Sequence, residues 1–195
     1  MRVARLAAEQ DGVIATRQLR ACGLSARAIA VRVRRGNLHR VVRGVYAVGH
    51  RALTTNGLFT AGVLACGDDA VLSDHAAAAY HAMLAWTRRD VEVIVPRSAG
   101  RAIDGVRAHR RRLDPRDVWH RGTIRVTSPA RTILDLAATR PAKPLRRLVR
   151  QAQAERTVNV RQLLDVLQRN PRHRGAARLR AVIALSLIHI SSPRD

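Results

Sequence analysis

The chain has 195 residues, room for one ordinary domain and a smaller one, and a formal charge of +22 from 36 basic and 14 acidic residues. All the bases but Lys143 are arginine, so the molecule attracts polyanions whatever its fold. With aromatics at 3%, its cores must be built from Ala, Val, Leu and Ile.

The opening segment is interrupted by Glu9, Gln10 and Asp11 before an apolar stretch could build up, which argues against a signal peptide. The longest apolar runs, 58–66 and 181–190, fall short of the roughly 18 residues that a membrane span needs. Cys22 and Cys66 form neither a disulfide framework nor a CxxC metal pair and read as free thiols in a reducing compartment. A cytoplasmic protein with no membrane contact is expected.

Residues 1–50 hold ten arginines and two acids. Val3, Leu6, Ala7 and Gln10 share one helical face, and Gly12 ends that helix before a short extended piece at Val13-Ile14. Thr16 reads as the N-cap of a second helix that turns Leu19 and Cys22 inward and closes at Gly23. Ser25 caps a third helix over 26–35, with Ala26, Ile29, Ala30 and Val33 as its apolar face. Arg27, Val31 and Arg35 lie opposite, flanked by Arg32 and Arg34. Taken alone, this is a solvated amphipathic helix in an arginine-rich protein. The next segment changes that: Leu38, Arg40 and Val42 alternate with His39, Val41 and Arg43, and Gly44 turns the chain into Val45-Tyr46-Ala47-Val48. A basic hairpin directly after a basic third helix is the order of a winged helix-turn-helix, in which guanidinium groups reach phosphates and guanine edges.

Further on, 54–66 predicts a largely apolar helix, and Ser73 caps an alanine-rich one over 74–84. Strands are expected at 91–95, 105–111 and 124–127. Ser128-Pro129 opens a helix through Ile133, Leu134 and Leu136, with Ser as cap and Pro at the first position. Helices near 144–155, 160–168 and 174–185 follow, with Leu145, Leu148, Leu163, Leu164, Leu167 and Leu179 as core and 169–174 as a basic turn. Residues 186–195 break from the preceding composition and read as a non-native or disordered tail.

Two stretches resemble AbiEi-type antitoxins, regulators from bacterial type IV toxin–antitoxin systems linked to abortive phage infection. One comprises residues 12–16, the Leu24-Ser25 step and Arg43-Gly44-Val45-Tyr46; the other is the run from Thr127 to Ala137. The resemblance implies autorepression through operator DNA and neutralisation of a nucleotidyltransferase-type toxin. Longer relatives of this arrangement continue into a domain like that of very-short-patch-repair endonucleases, so a truncated member is expected.

The remaining chemistry is sparse. His75 and His81 are six apart, and Asp74 beside His75 points elsewhere on a helix, so surface or capping roles are expected. His109 reads as an exposed strand residue, and Cys66 has no His or Asn partner. Asp68-Asp69 falls in a turn without a third acid, and Asp135 reads as the buried partner of Arg131. Two readings of the run 107–112 with Arg125 and Arg131 stay open: a DNA path extended from the wing, or an ordinary solvated surface.

The expected fold is α+β: a winged helix over 1–50, a small α+β domain over 51–140, helices over 141–185 and the tail. The expected function is an antitoxin-like repressor binding double-stranded operator DNA through Arg17, Ser25, Arg27, Arg32, Arg34, Arg35, Arg40 and Arg43, with no catalytic, metal or cofactor site. The alternatives are the DNA-binding half of a truncated endonuclease and a protein-interaction module.

Overall fold

The computed structural model describes residues 2–87, 90–95 and 102–190, with side chains described as far as 185. Residue Asp195 and the four before it, part of the expected tail, lie outside the described residues. The chain forms two compact units. One takes the residues up to 72 with 86–112 and 120–126, and the other takes 73–85, 113–119 and the chain from 127 onward.

The first unit begins with α1 (Arg2–Glu9), β1 (Val13–Ala15), α2 (Thr16–Ala21), α3 (Ala26–Arg34), β2 (Leu38–Val42) and β3 (Val45–Val48). The three strands form an antiparallel sheet in the order β1-β3-β2, with Ile14 opposite Tyr46. Side chains alternate across a strand. Ile14 and Tyr46 therefore turn to one face and pack with Ala7, Leu19, Ile29 and Leu38, while Val13, Ala15 and Val45 turn to the other. There Ala61 and Leu64 of α4 (Thr55–Cys66) cover them. Gly12 and Gly23 both have φ +87°, as expected for residues that end α1 and α2. The carboxamide of Gln10 is buried and donates to the Val13 carbonyl.

Two expectations about this unit are corrected. The N-cap of α2 is Ala15 rather than Thr16; the Thr16 hydroxyl and amide both donate to the Gly44 carbonyl, at 3.0 and 2.8 Å. Thr16 thus ties the start of α2 to the hairpin turn instead of closing its own helix. The inner face of α3 is also rotated from the expected one. Only Ile29 is buried, with Ala28 and Val31 half-buried, whereas Ala26, Ala30 and Val33 face solvent. The two alanines lose little by exposure, and Ile29, the largest apolar residue of the helix, turns inward while Val33 stays 37% exposed.

A mixed five-stranded sheet is formed by β4 (Val71–Leu72), β5 (Val91–Val95), β6 (Val106–Arg110), β7 (Val118–Arg121) and β8 (Ile124–Thr127) in the order β6-β5-β4-β8-β7. β5 runs parallel to β6 and antiparallel to β4. α4 lies against β5 so closely that a Cβ on Gly62 would stand 2.7 Å from Val91 Cγ1.

The second unit is helical: α5 (Asp74–Tyr80), α6 (Pro129–Ala137), α7 (Ala142–Ala154), α8 (Val160–Arg169) and α9 (Ala176–Ile190). Every residue of α6 is buried, and its Ile133, Leu134 and Leu136 pack with Leu145, Leu148, Leu163, Leu167 and Leu179. Ser128 caps α6 as expected, accepting from the Arg131 amide, and Pro129 follows at the first position. Asn159 and Gln162 form a reciprocal capping box at α8. Leu164, expected in the core, is 50% exposed because α8 presents only Leu163, Val166 and Leu167 inward. α5 stops at Tyr80 rather than Leu84, and Ser73 makes no side-chain cap; its hydroxyl donates to the Asp74 carboxylate at 2.8 Å. No described helix is long and apolar enough to cross a membrane.

Candidate nucleic-acid interface

α3 begins where the Ser25 hydroxyl accepts the Ala28 amide at 3.2 Å, which fixes the helix start and spends Ser25 as a cap. Its outward ridge is Arg27, Ala30 and Arg34, spaced i, i+3, i+7 and exposed at all three positions. Arg32 and Arg35 are exposed on either side of it. None of these four arginines forms an ion pair with a carboxylate among the described residues. The hairpin follows at once. Leu38 anchors it in the core, Arg40 projects from β2, and Arg43 sits at the turn where Gly44 takes φ +80°. Arg40 and Arg43 are likewise exposed and without acidic partners among the described residues. Six arginines therefore project from one helix and the hairpin that succeeds it, with their charge uncancelled.

Arg17, the other basic residue expected in this set, is engaged elsewhere. Its guanidinium donates to Asp68 Oδ1 at 2.5 and 3.0 Å and to the Leu64 carbonyl at 2.7 Å, joining α2 to the end of α4. Asp68 is 51 residues away in sequence, so no local pattern announces this tie. Its neighbour Asp69 accepts from Arg125 at 3.1 Å. The two carboxylates thus serve separate arginines rather than a shared cation. Among the described residues no group of three or more His, Cys, Asp or Glu is arranged to hold a metal.

The open reading of a basic path through Arg131 is corrected. Arg131 is 2% exposed and donates to both oxygens of Asp135 at 3.1 and 3.2 Å, the pairing expected from sequence, and also to Asp117 at 3.0 Å and Asn170 at 3.1 Å. Arg169 closes on the other oxygen of Asp117 and on Asp165, and His173 Nε2 lies 3.0 Å from Asp135. A guanidinium shut in with two buried carboxylates is structural, not available to DNA. Nearby at the surface, a side-chain hydrogen bond from Arg116 lowers the Asp114 pKa to about 2. By contrast Arg107 and Arg110 on the edge strand β6 are exposed. Asp74 and His75, expected at the surface, are buried, and His81 Nε2 lies 2.8 Å from the Thr127 carbonyl oxygen.

The chain is thus an α+β protein whose amino-terminal segment carries six exposed arginines on α3 and the hairpin that follows it. Residues 1–49 match the family model for the AbiEi antitoxin transcriptional regulators, consistent with an AbiEi-type family member. This is a regulatory antitoxin family of toxin–antitoxin systems rather than a family of enzymes. The match covers the third helix and the hairpin and stops before the run 127–137. No curated protein matches the chain.

Proposed function

We propose that the amino-terminal segment is a winged helix that binds duplex operator DNA, with α3 in the major groove and the β2–β3 hairpin as the wing. The observation that carries this is the outward ridge Arg27–Ala30–Arg34, exposed and unpaired among the described residues. A helix presenting two guanidinium groups around a methyl-sized residue approaches base edges closely while each arginine reaches a guanine. Seven residues at 1.5 Å separate Arg27 from Arg34 by about 10 Å, or roughly three base-pair steps. The favoured half-site therefore places guanines about three base pairs apart. Arg32, Arg35, Arg40 and Arg43 supply phosphate contacts, while Ser25 acts through the helix start and Arg17 through its tie to α4.

The family match supports a regulator role, and we extend it, by the resemblance to AbiEi-type antitoxins, to a cytoplasmic repressor of its own operon that opposes a nucleotidyltransferase-type toxin. The test is selection of bound duplexes followed by the Arg27→Ala and Arg34→Ala variants. Each variant loses about 1–3 kcal/mol of discrimination at one guanine and keeps most of its non-specific binding. Equal loss of specific and non-specific binding overturns the assignment of α3 as the reading helix. Co-expression with an adjacent nucleotidyltransferase-type gene restores growth if the antitoxin role holds, and fails to if it does not.

A further inference from the structure

We propose that the outer edge of β2 is a docking site for an extended, acidic segment of another protein, which adds to it as a further strand and seats apolar side chains in the groove alongside. β2 is an end strand of its sheet, and among the described residues its backbone pairs only with β3. A groove of about 540 Å³ within the first unit is lined by four consecutive residues of β2, Leu38 to Val41, with Val33 from the last turn of α3 and Leu53 and Leu58 from the start of α4 and the segment before it. Successive side chains of a strand point to opposite faces, so four in a row meet one groove where it opens at the strand's edge. Of the four large apolar side chains that stand exposed among the described residues, Val33 at 37% and Leu58 at 38% are both in this groove, and the other two lie on α8 and α9. Single apolar residues on a surface are ordinary, but a pair gathered in a groove beside an unpaired strand edge marks a contact surface.

The charge of the groove selects its occupant. Arg40 and Arg51 line it, neither forms an ion pair with a carboxylate among the described residues, and no described acidic residue lines it. Arg51 Nε donates to His39 Nδ1 at 3.4 Å, which holds that guanidinium beside β2 and leaves its terminal N–H groups for a carboxylate. A second copy of the chain, at +22 and with the same arginines at its own edge, is repelled. A duplex offers phosphates to the arginines but no amides to β2 and no apolar side chains to Val33 and Leu58. A segment that alternates acidic and apolar residues meets all three demands: backbone for the edge, carboxylates for Arg40 and Arg51, and apolar side chains for the groove. The β2–β3 register shifts between Arg40 and Val42, so regular pairing is confined to Leu38–Arg40 and specificity falls on the side chains.

The experiment uses the full chain and a capped octapeptide alternating glutamate and valine. Its controls are a lysine–valine octapeptide, a glutamate–serine one, and the glutamate–valine peptide N-methylated at every residue. Backbone amide resonances are followed in each titration, for the wild type and for Arg40→Glu/Arg51→Glu, and thermal unfolding confirms that the variant is folded. The glutamate–valine peptide is expected to shift the amides of residues 38–42 and to slow their hydrogen exchange. The methylated peptide, which cannot form the ladder, and the glutamate–serine peptide, which cannot fill the groove, are each expected to bind about tenfold more weakly. Charge reversal is expected to reverse the preference, the variant taking the lysine peptide over the acidic one by about tenfold, which a loss of folding cannot mimic. No response of these amides at millimolar peptide, or equal responses to acidic and basic peptides, overturns the proposal. Self-association centred on the same amides also overturns it and assigns the edge to a second copy. A shift of those amides by a scrambled duplex but not by the acidic peptide overturns it in favour of nucleic acid. The peptide titrations need no operator, so they decide the groove even if the repressor reading fails.

Discussion

Replacing Arg131 by Met keeps an unbranched apolar stem close to that of the arginine and removes the charge from the centre of the second unit. In the native protein that guanidinium satisfies Asp135 through two hydrogen bonds and Asp117 through one, and those carboxylates are 1% and 0% exposed. Removing one member of a buried ion pair costs about 3–5 kcal/mol because the other charge is left in a low-dielectric interior. Here the lower end of that range applies. Asp117 keeps Arg169 and Asn170, and Asp135 keeps His173. The expected loss is therefore about 3 kcal/mol. For a unit of this size it corresponds to a fall in Tm on the order of 10–20 °C. Urea unfolding followed by circular dichroism, with hydrogen exchange of α6 and α8 as a local readout, measures it. A change within about 0.5 kcal/mol of wild type would refute the argument that Arg131 neutralises this cluster.

Two further outcomes are expected. Gly62→Ala puts a methyl group against Val91, whose Cγ1 and Cβ stand 2.7 and 2.9 Å from the new atom, and destabilises the first unit by about 1–3 kcal/mol. Pairing it with Val91→Ala recovers part of that loss in thermal unfolding; a G62A variant as stable as wild type contradicts the close approach. Because the Asp114 pKa is lowered by its hydrogen bond from Arg116, its stabilising contribution is present above the ordinary carboxylate pKa and is lost as pH falls from about 4 toward about 2. Carboxyl NMR titration of Arg116→Ala should move the Asp114 midpoint up toward its usual value, and an unmoved midpoint would assign the shift elsewhere.

Local signals carried the amino-terminal segment well. Ser25 is a cap whose partner lies three residues on, and Gly12, Gly23 and Gly44 end elements by taking positive φ, so both act within the reach of a short pattern. The orientation of α3 was not legible, because Ala26, Ala30 and Val33 form as good an apolar face on a helical wheel as the packed set around Ile29. Which set turns inward depends on Leu19, Leu38 and Tyr46, supplied by other elements. β4 spans two residues, too few for alternation to declare it, and β7 does not alternate, its first two residues being half-buried and its last two exposed. The Arg131–Asp135 pair was visible because it is one helical turn long. Asp117, Arg169, Asn170 and His173 join it from 14 or more residues away, and Asp68 reaches Arg17 across 51. Those partners are tertiary facts that no local spacing encodes.

The central claim is that α3 and its hairpin read duplex DNA, and the most direct test is the affinity of the whole chain for the duplex upstream of its own gene as salt is varied. With phosphates contacted by Arg32, Arg35, Arg40 and Arg43, log affinity should fall against log salt with a slope of about −3.6. At physiological salt the upstream duplex should be preferred over a scrambled one by about a thousandfold or more. Equal affinity for both duplexes, or no binding to either at that salt, would contradict it.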